Sequence, residues 1–114
     1  MKYQDILNDL QNRSASLLNA SGDYGSAYKR VDAAVYQPGA LGVGHKELIA
    51  LLIGIALRCE DCIAYHVRRC IRAGVTRAEL VEGLVVAAQM AGGPGLAFAS
   101  KALAAFDEFS AGRQ

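Results

Sequence analysis

The stretch CEDCIAYHVRRCIRAGVTRAEL, residues 59–80, decides the fold. At about 100° per residue, Cys59, Cys62, Ile63, His66 and Cys70 share one face of a helix, with Asp61, Ala64, Arg68 and Arg72 opposite. The spacing predicts a helix from near Cys59 to Ala73-Gly74, where glycine can take the left-handed conformation that closes a helix end. A new start follows at once. Thr76-Arg77-Ala78-Glu79 has the capping-box pattern, with Thr76 accepting from a first-turn amide and Glu79 reaching back. A tight helical hairpin results, its second arm running from Arg77 to about Ala91.

Working outward, the segment His45 to Leu57 is apolar on nearly every side after Lys46 and Glu47, and is expected to be the central, buried helix. Gln37-Pro38-Gly39 stops an earlier helix whose stripe is Tyr24, Tyr28, Val31 and Val35, with Asp23 as its expected N-cap. Before it, Ile6, Leu7, Leu10, Leu17 and Leu18 fall at helical spacing. Beyond Ala91, Gly93-Pro94 offers a cap and a pre-set first residue for a sixth, Ala-rich helix reaching Phe109. Residue usage agrees, with 20 Ala and 13 Leu but only 15 β-branched residues, Thr76 being the sole threonine. The expectation is one all-α domain over residues 1–114, of about six helices around a buried helical hairpin.

Counting glycine and leaving out tyrosine, about 59 % of the chain is apolar, against about 45–50 % for an average soluble domain. So small a chain cannot easily hide that much apolar surface within itself, which predicts a homo-oligomer. Twelve Lys and Arg against 11 Asp and Glu leave no basic field suited to nucleic acid. The longest apolar run, Leu48 to Leu57, is ten residues, and the charge-free stretch Gly83 to Ser100 is interrupted by Gly92-Gly93-Pro94-Gly95, so no membrane partner is expected. The start Met1-Lys2-Tyr3-Gln4-Asp5 lacks the pattern of a secretory signal, and the expected location is the cytoplasm. There, three cysteines with two spaced C-x-x-C suggest redox or metal chemistry.

Cys62 and His66 are four residues apart, the spacing at which helical side chains meet, so His66 can take the thiol proton or stabilise the thiolate. Cys59, one turn earlier, can close a disulfide with Cys62, and the helix N-terminus favours thiolate at both. Glu47, placed in the first turn of the buried helix, would fix the imidazole tautomer if it lies near His66.

Glu47, eleven intervening residues and Cys59-x-x-Cys62-x-x-x-His66 resemble the site pattern of the alkylhydroperoxidase D-like branch of the carboxymuconolactone decarboxylase family. The resemblance continues through Gly74-Val75-Thr76-Arg77-Ala78-Glu79-Leu80 and Gly92-Gly93-Pro94, and covers roughly Val35 to Phe109. It implies an all-helical fold assembled as trimers or hexamers, with no bound cofactor, that reduces hydroperoxides through the dithiol. By the same resemblance Cys62 attacks the O–O bond, Cys59 resolves the sulfenic acid, and His66 and Glu47 relay protons. An external dithiol, a dihydrolipoyl group or a thioredoxin-like protein, restores the reduced state. One departure is Asp61, preceded by Glu60, where studied peroxidases of this type carry a further histidine; negative charge there opposes thiolate formation.

Two other readings of the residues stand beside this one. A decarboxylase-like lyase would use Glu47 and His66 for acid–base chemistry and ignore the cysteines, which decarboxylase members of the family generally lack. A metal or interaction module would draw on Cys59, Cys62, His66 and Glu47, but Cys70 stands about 12 Å from Cys62 along the helix, too far to complete a zinc site. No metal is assigned. Cys70 is expected to pack, Tyr65 to flank the site, and Arg68, Arg69, Arg72 and Arg77 to form a solvated face or meet a neighbouring subunit.

Overall fold

A computed structural model describes residues 2–112. Its elements are α1 (Tyr3–Ala20), α2 (Asp23–Val35), α3 (Val43–Ala56), α4 (Glu60–Arg72) and α5 (Arg77–Ala111), with no strand among the described residues. Within α5, Gly92 leaves helical geometry at φ 74°, ψ −155°, so two helical rods meet there and Pro94 opens the second. The expected fifth and sixth helices are those two rods. By length and composition alone α5 could reach across a bilayer, but this break divides it.

The hairpin at residues 59–80 forms as its local signals dictate. At the end of α4, Val75 N donates to Cys70 O at 3.0 Å and Gly74 N to Ile71 O at 3.1 Å. Gly74 sits at φ +85°, and the two bonds satisfy carbonyls that the helix end would otherwise orphan. Thr76 and Glu79 make the reciprocal capping box, with bonds of 3.2 and 2.8 Å. The start of α1 is tied to the end of the chain, because Tyr3 N and Gln4 N both donate to the Glu108 carboxylate. Glu108 thereby caps the α1 N-terminus in place of a local residue.

Three sequence expectations change. Gly22, at φ 60°, is the N-cap of α2, and Asp23 is its first helical residue. Helix α4, not α3, is the central one: it packs against α1, α3 and α5, and Ile63, Ala64, Val67 and Cys70 are fully enclosed. Ala64, placed opposite the cysteine face, is enclosed as well, since α4 also packs against α1 and α5. Helix α3 buries Leu51, Gly54 and Ile55 but leaves Ile49, Ile53 and Leu57 exposed. Its all-round apolar composition therefore does not correspond to all-round burial. The α2 stripe is likewise uncovered, with Tyr24, Tyr28, Val31 and Val35 each at least half exposed.

Candidate active site

Helix α3 ends so as to begin α4. Arg58 N donates to Ile55 O and Cys59 N to Gly54 O, each at 3.0 Å, the bond pattern that usually closes on a left-handed glycine. Here the left-handed position is Arg58, at φ 57°, a conformation that costs a non-glycine residue about 1–3 kcal/mol. Cys59 is thus the last partner of α3 and the N-cap of α4, accepting from Cys62 N at 3.1 Å through its sulfur. The Cys59 and Cys62 sulfurs are bonded, with Cα atoms 5.2 Å apart. Gly54 makes room for this turn, since a Cβ placed there would meet the Cys62 Cβ at 3.1 Å.

Glu47 projects from α3 toward α4 and is 1 % exposed. Because α3 begins at Val43, Glu47 lies beyond the first turn, and the helix dipole does not account for its charge. Its partners do. Glu47 Oε1 lies 2.9 Å from His66 Nδ1, and Oε2 accepts from Arg69 Nε at 2.6 Å. Arg69 also donates to the Tyr65 hydroxyl at 2.6 Å and to the Asp32 carboxylate of α2 at 3.2 and 3.4 Å. Its guanidinium lies over the Tyr36 ring at 4.4 Å and the Tyr65 ring at 5.2 Å, and Tyr65 meets His66 edge-on.

Burial works against the Arg69 charge, but the partners Tyr65, Asp32 and Glu47 outweigh it and hold the group above the ordinary arginine range. Partial burial, and then Glu47, raise the Tyr36 phenol. Burial, with Glu47 adding to it, pushes the Cys70 thiol up to about 12, in keeping with its expected packing role. The acidic residues beside the cysteines are paired: Asp61 with Arg13 of α1 at 3.0 Å, and Glu60 with Lys101 of α5 at 2.5 Å. Those cations offset part of the negative charge expected to oppose thiolate.

The structure therefore joins Glu47 to His66 and Cys59 to Cys62, and it sets the imidazole one turn past Cys62 on the same helix. It takes Arg69 off the solvated face assigned to it and puts it behind Glu47, while Arg68 lies over Phe109 and Arg77 pairs with Asp107. The spacing of Tyr65 and Arg69, four apart, was the available signal for their contact. Asp32, Tyr36 and Gly54 carried none. Beside Glu47, an open cavity of about 400 Å³ is lined by Leu7, Val43, Arg68, Arg69 and Arg72. Among the described residues no three His, Cys, Asp or Glu side chains gather as a metal would require.

A helical fold carrying a C-x-x-C pair at a helix start, with a carboxylate–imidazole pair from the two helices of that junction, defines the class of protein. Residues 22–105 match the Carboxymuconolactone decarboxylase family, and the chain belongs to it. An uncharacterised protein of Cupriavidus necator is 42 % identical over 86 residues, 75 % of this chain and 76 % of its own length. A family member from Legionella pneumophila, solved in its apo form, superposes with a TM-score of 0.91 at 34 % identity, over 95 % of this chain and 96 % of that one. A Thermotoga maritima member, for which involvement in an antioxidative response has been raised as a possibility, gives a TM-score of 0.71 at 34 % identity, over 77 % and 91 % of the two chains.

Proposed function

We propose that this chain is a thiol-dependent peroxidase or disulfide reductase, which passes electrons from an external dithiol to a hydroperoxide. The observation that carries the reading is the head of α4, where the Cys59–Cys62 pair lies one turn before an imidazole held by a buried carboxylate. The antioxidative response raised for the Thermotoga protein points the same way.

In the proposed cycle His66 takes the Cys62 proton, and the thiolate attacks a peroxide oxygen. An S–O bond forms, the O–O bond breaks, and the alkoxide leaves as alcohol with the proton from His66. Cys59, its proton taken by the same imidazole, attacks the sulfenic sulfur; the S–S bond forms, the S–O bond breaks, and water leaves. Two electrons have moved from dithiol to hydroperoxide. A dihydrolipoyl group or a thioredoxin-like protein then reopens the disulfide by exchange.

The same reading sets the protein in the reducing cytoplasm as a homo-oligomer, a trimer or hexamer. The uncovered apolar residues of α2, α3 and α5, among them Tyr24, Val31, Ile53, Leu57, Val86 and Met90, support association. The test of the activity is a pair of variants. Cys62→Ser abolishes peroxide-dependent turnover, whereas Cys59→Ser stops after one equivalent with sulfenic acid on Cys62. Steady turnover in either contradicts the proposal, and an acid–base activity that survives loss of both thiols favours the lyase reading.

A further inference from the structure

We infer that Arg69 is a positioning residue of this site: it holds Glu47 so that His66 can be uncharged and receive a proton. The inference deepens the relay reading and rests on it for its catalytic consequence, though not for its physical one. A carboxylate that is 1 % exposed needs a compensating cation. With His66 alone at hand, the imidazolium would be that cation, and an imidazole already carrying its proton cannot accept one from a thiol. Arg69 removes that demand. Its Nε donates to Glu47 Oε2 at 2.6 Å while Oε1 faces His66 Nδ1 at 2.9 Å, so one carboxylate is shared between a permanent cation and an imidazole. The neutral imidazole then keeps its proton on Nδ1, toward Glu47, and leaves Nε2 as the base.

The guanidinium is itself held in place. Tyr65 and Asp32 accept from Nη1, and Tyr36 and Tyr65 present their ring faces to it. Among the described residues, the groups around the Glu47–His66 pair are Arg69 and Tyr65 from α4, Asp32 and Tyr36 from α2 and the residue after it, and Arg68 and Arg72 of α4, which line the cavity beside Glu47. Cys70, on α4, is neutral in the physiological range. Leu7 and Gln11 of α1, near the same cavity, bring no charge. Asp32 competes with Glu47 for Arg69, and that competition gives the inference a sign in both directions.

The test is the NMR titration of the His66 ring nitrogens in the reduced protein, alongside the pH profile of single-turnover oxidation by a hydroperoxide. In Arg69→Gln the Glu47–His66 pair retains its shared proton to higher pH, moving the midpoint up by about one unit or more. The acid limb of the oxidation rate moves with it, so on that limb the rate at a given pH falls about tenfold and recovers at alkaline pH. Arg69→Lys restores most of the shift. Asp32→Asn, which frees Arg69 for Glu47, moves the midpoint down and serves if Arg69→Gln does not fold. A midpoint unmoved in folded Arg69→Gln, or unmoved or raised in Asp32→Asn, overturns the inference. Moved midpoints in a protein that no hydroperoxide oxidises would uphold Arg69 in this role and defeat the peroxidase reading instead.

Discussion

His66 Nδ1 on α4 lies 2.9 Å from Oε1 of Glu47 on α3, and the carboxylate that makes this contact is 1 % exposed. Glu47→Gln would replace a bidentate anion by an amide that must turn an N–H toward either Arg69 or His66. The expected cost is about 3 kcal/mol of stability, the low end for breaking a buried pair because Arg69 retains Asp32. Oxidation by hydroperoxide is expected to slow by about 10²-fold or more. Denaturant titration and single-turnover kinetics read the two effects separately.

Gly54→Ala tests the close approach of the two helices at the dithiol. An exposed helical glycine gains about 1 kcal/mol when replaced by alanine. At Gly54 the new Cβ would stand 3.1 Å from the Cys62 Cβ, so the gain is expected to be cancelled by the displacement of α4 from α3. Disulfide closure should slow as well. A variant stabilised by the full increment, with unchanged closure, would contradict this packing.

Cys70 is expected to stay unlabelled while the protein is folded. Its thiol is fully enclosed and pushed up to about 12, so at pH 8 it is neither accessible nor ionised. Iodoacetamide with peptide mapping should find it modified only after denaturation; labelling at the rate of an exposed cysteine would place it wrongly.

The uncovered apolar surface makes oligomerisation a testable expectation. Exposed Ile49, Ile53, Val86 and Met90 lie around one shallow apolar cavity between α3 and α5. Ile53→Glu or Met90→Glu is expected to lower the mass measured by light scattering at micromolar concentration. A wild-type protein that is already monomeric there contradicts the expectation.

What was legible in the sequence was local. The α4–α5 hairpin is written in Gly74 and in the Thr76–Glu79 box, each acting within a few residues, and the i,i+4 spacing placed His66 past Cys62. Arg69 was not legible, because its partners Glu47 and Asp32 lie 22 and 37 residues away on other helices. The rank of α3 was misread for a related reason. Apolar composition does not by itself tell burial from exposure: Ile49, Ile53 and Leu57 are apolar, yet the fold leaves them exposed. Nor does the alternation of charges show that Asp61 and Glu60 meet Arg13 and Lys101 on distant helices.

The most direct test of the dithiol site is the pH dependence of alkylation of the reduced protein, with mass spectrometry locating the label, beside a sample first given one equivalent of hydroperoxide. The account predicts that Cys62 or Cys59 reacts with an apparent pKa well below the ordinary ~8.5 of a free thiol, and that the peroxide converts the pair to the disulfide. Two thiols that alkylate only above that value, and that remain reduced in the presence of peroxide, would contradict it.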